Sequence, residues 1–261
     1  MGRPRARIRF SDVLSHGYIW LCLLVFVTPF LVLVGYTLTT SGGTSTAGNF
    51  QFVFGSFLDN LKWSLLISGA TLVGNVLLAL PAAYGLIRYP VPLKRLLFTA
   101  VTLPLYVPGA VIGLSLLLTY YFTYHLATSV FGLIFAMMIC PFPLMLTPIV
   151  VAMKDLPIVF EEASECLGAT RWQTFHRVVL PLTRSGVIAG ILMVFGWNIG
   201  TFAEPVLLGT LNEQRSLAYT LYNRGVVQAD YGLSSAMAIV LLVLAFAVSY
   251  LSLRYSRGAL V

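Results

Sequence analysis

Apolar residues in this chain come in long uninterrupted stretches, set apart by short polar segments. Ile19 to Val34 contains no charged residue, and the apolar stretch around it runs from about Tyr18 to Leu38. A helix needs about 20 residues to cross a hydrocarbon core of roughly 30 Å, so this stretch reads as one transmembrane helix. Five more stretches of similar character follow, at about Leu61 to Ile87, Leu97 to Tyr121, Ser129 to Met153, Gly186 to Leu208 and Leu233 to Leu253. The pattern predicts six spanning helices. A Gly/Ser/Thr-rich segment from Thr39 to Asn49 separates the first two and reads as a solvated loop. Prolines at 81, 104, 108, 141, 143 and 148 fall inside the stretches, and each removes a backbone hydrogen bond that lipid cannot replace. Interrupted helices are expected there.

Composition agrees with lipid as the solvent. The 261 residues are 58% hydrophobic and 10% charged, with a mean hydropathy of +0.89, against roughly 25% charged residues in an ordinary soluble domain. The expected fold class is an all-α polytopic membrane protein. Its expected organisation is a basic N-terminal segment over 1–17, one transmembrane domain over 18–254 with a long polar loop at 154–184, and a short tail over 255–261.

Cations set the expected orientation, because loops rich in Lys and Arg stay cytoplasmic during insertion. With the N-terminus inside, thirteen of the sixteen Lys and Arg residues fall on the inner side, leaving Lys62, Arg215 and Arg224 outside. Both termini are then cytoplasmic. The net charge of +7 follows from topology, and no nucleic-acid partner is needed to explain it. The N-terminal Arg run could open a secretory signal, but the apolar stretch after it exceeds the roughly 7–15 residues of such a signal's core, and it is read as a mature helix. Cys22, Cys140 and Cys166 lie outside the predicted external loops, so no disulfide framework is implied.

Catalytic chemistry is hard to find. His16, His125 and His176 are scattered, with no carboxylate or Cys at ligand spacing, and no metal site is expected. No G-x-x-x-x-G-K-[ST] occurs, so nucleotide phosphates have no cradle in this chain. Ser234 and Ser235 open a helix without a His or Lys to activate them, which argues against an intramembrane hydrolase.

The most informative segment is the polar loop. Asp155 is placed to cap a short helix with Pro157 in its first turn. Glu161, Glu162 and Glu165 follow, and Gly168 suits the left-handed residue that ends such a helix. Thr170 and Gln173 have the spacing of a capping box, which predicts a second helix. Trp172, Phe175 and Val179 recur at i, i+3 and i+7 as its apolar stripe, and Pro181 is expected to stop it. From these residues alone, an amphipathic hairpin lying on lipid headgroups and one docked on a protein are both open readings.

The run Glu162-Ala163-Ser164, three residues, Gly168, nine residues, then Val178-x-Leu180-Pro181 resembles the EAA signature of bacterial ABC importer permeases. That signature reads E-A-A-x3-G-x9-I-x-L-P, and the chain departs from it at Ser164 and Val178. The likeness extends from about Asn60 to the C-terminus and is nearest the spermidine/putrescine-type branch of type I importers. Ala82 to Tyr89, Leu103-Pro104 with Pro108 and Ile112-Gly113, and Gly200-x-Phe202-x2-Pro205 also resemble that branch.

The resemblance implies a permease in the bacterial inner membrane whose hairpin, between the fourth and fifth helices, is a coupling helix docked on a cytoplasmic ATPase dimer. Ala163, Ser164, Gly168 and Ala169 would permit close approach, and Trp172 and Phe175 would supply contact area. Glu161 and Glu162 would offer carboxylates to basic groups of that partner, and Leu180-Pro181 would close the motif. ATP and Mg would sit on the ATPase, with no cofactor on this chain. A second, non-identical permease and an extracytoplasmic solute-binding protein would complete the assembly. A self-contained channel and an intramembrane enzyme are the competing classes.

Polar residues at membrane depth are candidates for the solute path, since each is costly in lipid. Trp197, Thr201 and Glu204 recur at i, i+4 and i+7 with Asn198 beside them, and Asn75 lies in the second helix. The same residues also read as interhelical hydrogen-bonding groups, with Glu204 hydrated near the external end. A carboxylate at 204 would suit a cationic amine. The expected solute is therefore a small organic nitrogen compound, polyamine-like, opine- or aminobutyrate-like, or an aminophosphonate, with an inorganic ion such as ferric iron or thiosulfate as the alternative.

Overall fold

The structure, a computed structural model, describes residues 10–38, 46–123, 129–208 and 215–257. These are helical throughout, apart from short turns. Three helices are each long and apolar enough to span: α1 (Phe10–Leu38), α3 (Leu58–Arg88) and α14 (Tyr231–Arg257). Three bent pairs of helices bring the number of spans to six.

The first bent pair is α4 (Lys94–Thr102), extended by a 3-10 turn over Leu103–Tyr106, and α5 (Gly109–Leu118), with 100° between them. The single helix expected over Leu97 to Tyr121 is therefore broken. Val107, ahead of a proline, is pushed to an extended ψ of 129°, and Pro108 follows at 132°. In the second pair α6 (Val130–Ile139) and α7 (Phe142–Asp155) meet at 50° across Cys140-Pro141. Pro81 and Pro148, also expected to interrupt, lie inside the continuous helices α3 and α7.

The predicted loop is a hairpin of α8 (Val159–Cys166) and α9 (Arg171–Thr174). The second arm continues through a π turn (Phe175–Val179) into α10 (Leu180–Leu182). Asp155 ends α7 and caps nothing; Ile158 precedes α8. Pro181 does not stop the helix, because the widened π turn bonds Leu180 N–H to Phe175 O and accommodates a residue without a donor. The chain instead turns at Thr183, and the second arm makes 69° with α11 (Arg184–Gly200).

The fifth stretch breaks again at Thr201-Phe202 before α12 (Ala203–Leu208). Pro205 accounts for this: its ring excludes the carbonyl of Thr201, four residues back, and it has no N–H to offer it. Two helices were not anticipated. α2 (Thr46–Ser56) begins within the expected loop, while 39–45 lie outside the described residues; α13 (Leu217–Tyr222) precedes α14.

Packing divides the bundle along its length. At the hairpin end α7, α11 and α3 meet in a cluster containing Ala79, Ala83, Met145, Ile149, Met153 and Val194. At the far end α5, α6 and α12 meet α3 around Ile67, Leu133, Ala136, Met137 and Leu208. Close approach of α11 to α7 requires glycine. A Cβ on Gly186 would lie 2.5 Å from the Pro148 carbonyl oxygen, and one on Gly190 would lie 2.7 Å from Met145 Sδ. α1 packs chiefly on α14 and otherwise presents its apolar surface outward, as a lipid-facing helix does.

Candidate functional site

The hairpin is clamped to the end of α3. Glu161 and Glu162 are adjacent, so on α8 they point about 100° apart. Glu162 is exposed, whereas Glu161 is turned inward and only 6% exposed. Its Oε1 accepts from Arg88 Nε at 2.6 Å and its Oε2 from the Tyr84 hydroxyl at 2.9 Å. Arg88 Nη2 also donates to Leu156 O at 3.0 Å. The expectation that Glu161 offers its carboxylate to a separate chain is therefore corrected: its lone pairs serve this fold. Arg88 and Tyr84 were missed as site residues, since nothing in their local pattern says which acidic residue 73 or 77 positions away they meet.

The two arms are fastened to each other as the motif residues suggested. Gly168 takes a left-handed φ of +86°, which favours glycine there. Thr170 and Gln173 form the reciprocal capping box, and the Ser164 and Thr174 hydroxyls lie 3.1 Å apart. Arg171 Nη1 donates to the Tyr89 hydroxyl at 3.3 Å. Trp172 stacks on Phe175 at 6.1 Å between centroids, with its indole 69% exposed. Behind the second arm an apolar cavity of about 470 Å³ is lined by Pro81, Tyr84, Tyr89, Trp172 and Phe175. Ala163 and Gly168 are exposed, Ala169 and Leu180 are half-buried and Pro181 is exposed. Ile158, Val159, Phe160 and Leu167 add apolar surface that sequence inspection did not single out, with Leu167 88% exposed. Exposed apolar groups of this kind mark a contact surface, for a partner protein or for lipid headgroups.

At membrane depth the predicted helical face does not exist, because α11 ends at Gly200. Trp197 is partly exposed, Asn198 is buried, Thr201 forms the break, and Glu204 sits on α12. Glu204 is 1% exposed rather than hydrated within the chain. Its Oε2 accepts from Thr201 Oγ1 at 2.8 Å, and α12, which carries it, packs on α6, whose C-cap is Cys140. The carboxylate lies against the first turn of α5, where a Cβ on Gly109 would be 3.0 Å from Oε1. Asn75 is fully buried, and both of its amide atoms, like those of Asn198, lack a hydrogen-bond partner among the described residues. Between α4, α7 and α11 a second cavity, of about 450 Å³, presents the uncharged side chains of Thr102, Tyr106, Thr147 and Met193.

Comparison with known proteins gives these features a family. The profile described as "Binding-protein-dependent transport system inner membrane component" matches residues 75–259. A probable sulfate transport system permease protein from Zygnema circumcarinatum is 30% identical over 203 residues, covering 73% of this chain and 70% of that protein. The molybdenum transport system permease of Escherichia coli K12 is 28% identical, covering 70% and 86%, and the sulfate permease of the same organism is 28% identical, covering 75% and 76%. Among solved structures, a bacterial alginate ABC transporter chain superposes with a TM-score of 0.76 at 17% identity, covering 97% of this chain and 98% of that one. A chain of the MetNI methionine ABC transporter superposes with a TM-score of 0.61 at 16% identity, covering 77% and 93%. The chain thus belongs to the family of binding-protein-dependent inner-membrane transport components, as a multi-pass ABC importer permease that works with a partner ATPase, on which ATP is hydrolysed, and with a periplasmic binding protein.

Proposed function

We propose that the chain forms part of the translocation path for a small inorganic oxyanion of the sulfate or molybdate kind. The observation that carries this reading is its likeness, at 28–30% identity over 70% or more of the chain, to sulfate and molybdenum permeases. The site chemistry supports it. The expectation of a cationic amine leaned on a carboxylate facing the path, and Glu204 is the sole acidic residue in the third to fifth apolar stretches. That carboxylate is buried, with Thr201 donating to it and Gly109 packed beside it, so it presents no open surface to a cationic solute. The cavity that includes Thr102, Tyr106 and Thr147 carries no fixed charge and so offers a cationic amine no counter-ion. In this reading the partly exposed Trp197 borders the path, while Asn75, Asn198, Thr201 and Glu204 support it from behind.

The hairpin side is the cytoplasmic side in this reading, in keeping with the bias of Arg and Lys, and both termini face the cytoplasm. Glu162, Ala163, Gly168 and Trp172 are the surface that seats on the ATPase. Glu161, Ser164, Ala169, Phe175, Leu180 and Pro181 shape that surface from within. A second permease, non-identical to this one, supplies the other wall of the path. The test is uptake into proteoliposomes containing the assembled transporter and its binding protein, with labelled sulfate, molybdate and spermidine. ATP-dependent accumulation of an oxyanion, competed by its analogues, is the expected result. Accumulation of spermidine with no oxyanion uptake overturns the assignment.

A further inference from the structure

Three of the six spans are interrupted close to one side chain. The third breaks at Val107-Pro108, the fourth at Cys140-Pro141 and the fifth at Thr201-Phe202. Gly109, just after the first break, and Thr201, at the third, lie against the carboxylate of Glu204, and α12, which carries it, packs on both α5 and α6, the helix that ends at Cys140. Each break leaves backbone groups that a continuous helix would have paired. A carboxylate, with four lone-pair sites, is the side chain best able to hold several donors at one point.

This convergence lies between the two apolar clusters. On the far side are Leu133, Ala136, Met137 and Leu208, carried by α6 and α12; on the hairpin side are Met145, Ile149, Met153 and Val194, carried by α7 and α11. α3 runs through both, with Ile67 in one cluster and Ala79 in the other. Asn75 stands between those two positions, so the polar layer continues across the unbroken helix. Asn198 belongs to the last turn of α11 before its break. Both amides are buried and unpaired among the described residues. Unmet hydrogen bonds in a low-dielectric interior are costly, so each of these amides calls for a partner in some state of the assembled protein.

We propose that this layer is the hinge plane of the permease and that Glu204 is its positioning residue. The carboxylate locks α5 and α12 together, against the α6–α7 bend, in the arrangement seen here. When the far-side halves turn against the hairpin-side halves, the lock opens and the amides of Asn75 and Asn198 gain the partners they lack. The inference rests on the chain being a moving permease and is independent of which solute it carries.

Cys140 supplies a native reporter, since it is 1% exposed and lies at the break between α6 and α7. In the assembled transporter with Cys22 and Cys166 replaced by Ser, labelling of Cys140 by a membrane-permeant maleimide is compared with and without trapped nucleotide. Labelling is expected to differ by about tenfold or more between the two states, because a thiol closed off in one packing is opened in the other. Glu204→Ala is expected to label fast in both states. Glu204→Gln, which keeps the shape and an acceptor for Thr201, is expected to restore part of the difference. Asn75→Leu and Asn198→Leu remove the unpaired amides, so each is expected to raise thermal stability while slowing ATP-driven uptake. Equal labelling of Cys140 in all states overturns the proposal, as does unchanged state dependence in Glu204→Gln together with wild-type uptake in both Leu variants. If Glu204→Ala fails to assemble, the Gln and Leu variants decide. Loss of oxyanion specificity would register only in the uptake of different solutes and leaves this labelling comparison intact.

Discussion

At the scale of single residues the contrast between Glu161 and Glu162 carries the most consequence. One peptide unit separates them, yet one carboxylate is paired inside the fold and the other faces out. The two residues therefore fail in different ways. Arg88→Ala leaves Glu161 a nearly buried, unpaired charge, a situation that costs about 3–5 kcal/mol, and the hairpin is expected to detach from α3. The measurable outcome is at least tenfold slower uptake, with protease cleavage near Gly168 appearing in the variant. Glu162 is exposed, so Glu162→Arg disturbs no buried contact. It should leave thermal stability unchanged and abolish ATP-coupled uptake by reversing charge on the docking surface. Wild-type uptake in that variant would remove Glu162 from the coupling surface.

Local hydrogen-bonding chemistry was legible at this scale where both partners are neighbours in sequence. The Thr170/Gln173 box and the left-handed Gly168 follow from their spacing because both groups of each motif lie within a few residues. Asp155 misled for the complementary reason. Its side-chain type suits a cap, but α7 already extends through it and the next helix starts four residues later. The partner of Glu161 was invisible, because Arg88 reads from the sequence only as one more cation at a helix end.

Between elements, the decisive feature is how closely α11 lies on α7. Val at position 186 would drive its Cβ into the Pro148 carbonyl, which backbone cannot easily yield. Overpacking of this kind costs about 1–3 kcal/mol, so Gly186→Val is expected to lower the melting temperature in detergent. Gly196→Ala on the same helix meets no atom within 4 Å and is expected to be neutral or slightly stabilising, since Ala is the better helix former. Equal melting temperatures for the two variants would refute the close approach. Helix breaks belong to this scale too. Proline at 205 removes the partner of the Thr201 carbonyl and ends α11, yet Pro181 is absorbed by a π turn and Pro148 by continuous helix. Residue type alone does not decide among these outcomes, since neighbouring helices determine whether a freed carbonyl finds another donor or the chain bends.

For the whole molecule, the expectation is of a subunit rather than a machine. Purified alone into liposomes, the chain is expected to show no solute flux. Deletion of residues 155–181 from the assembled transporter should abolish uptake while the remaining spans still insert. ATP-driven uptake after that deletion would refute a coupling role for the hairpin.

Six apolar stretches, the motif spacing in the loop and the lack of a nucleotide cradle were properties of the amino-acid sequence by itself. Each depends on windows of residues that solvent reads locally: lipid demands length and apolarity, and a helix cap demands fixed offsets. What only the tertiary structure decided was where three spans break, which carboxylates turn inward and which remain at the surface. Those outcomes depend on partners dozens of residues away, as with Arg88 beside Glu161 or Gly109 beside Glu204. In a low-dielectric interior the cost of an unpaired group is high enough that finding such partners, rather than local preference, sets the final geometry.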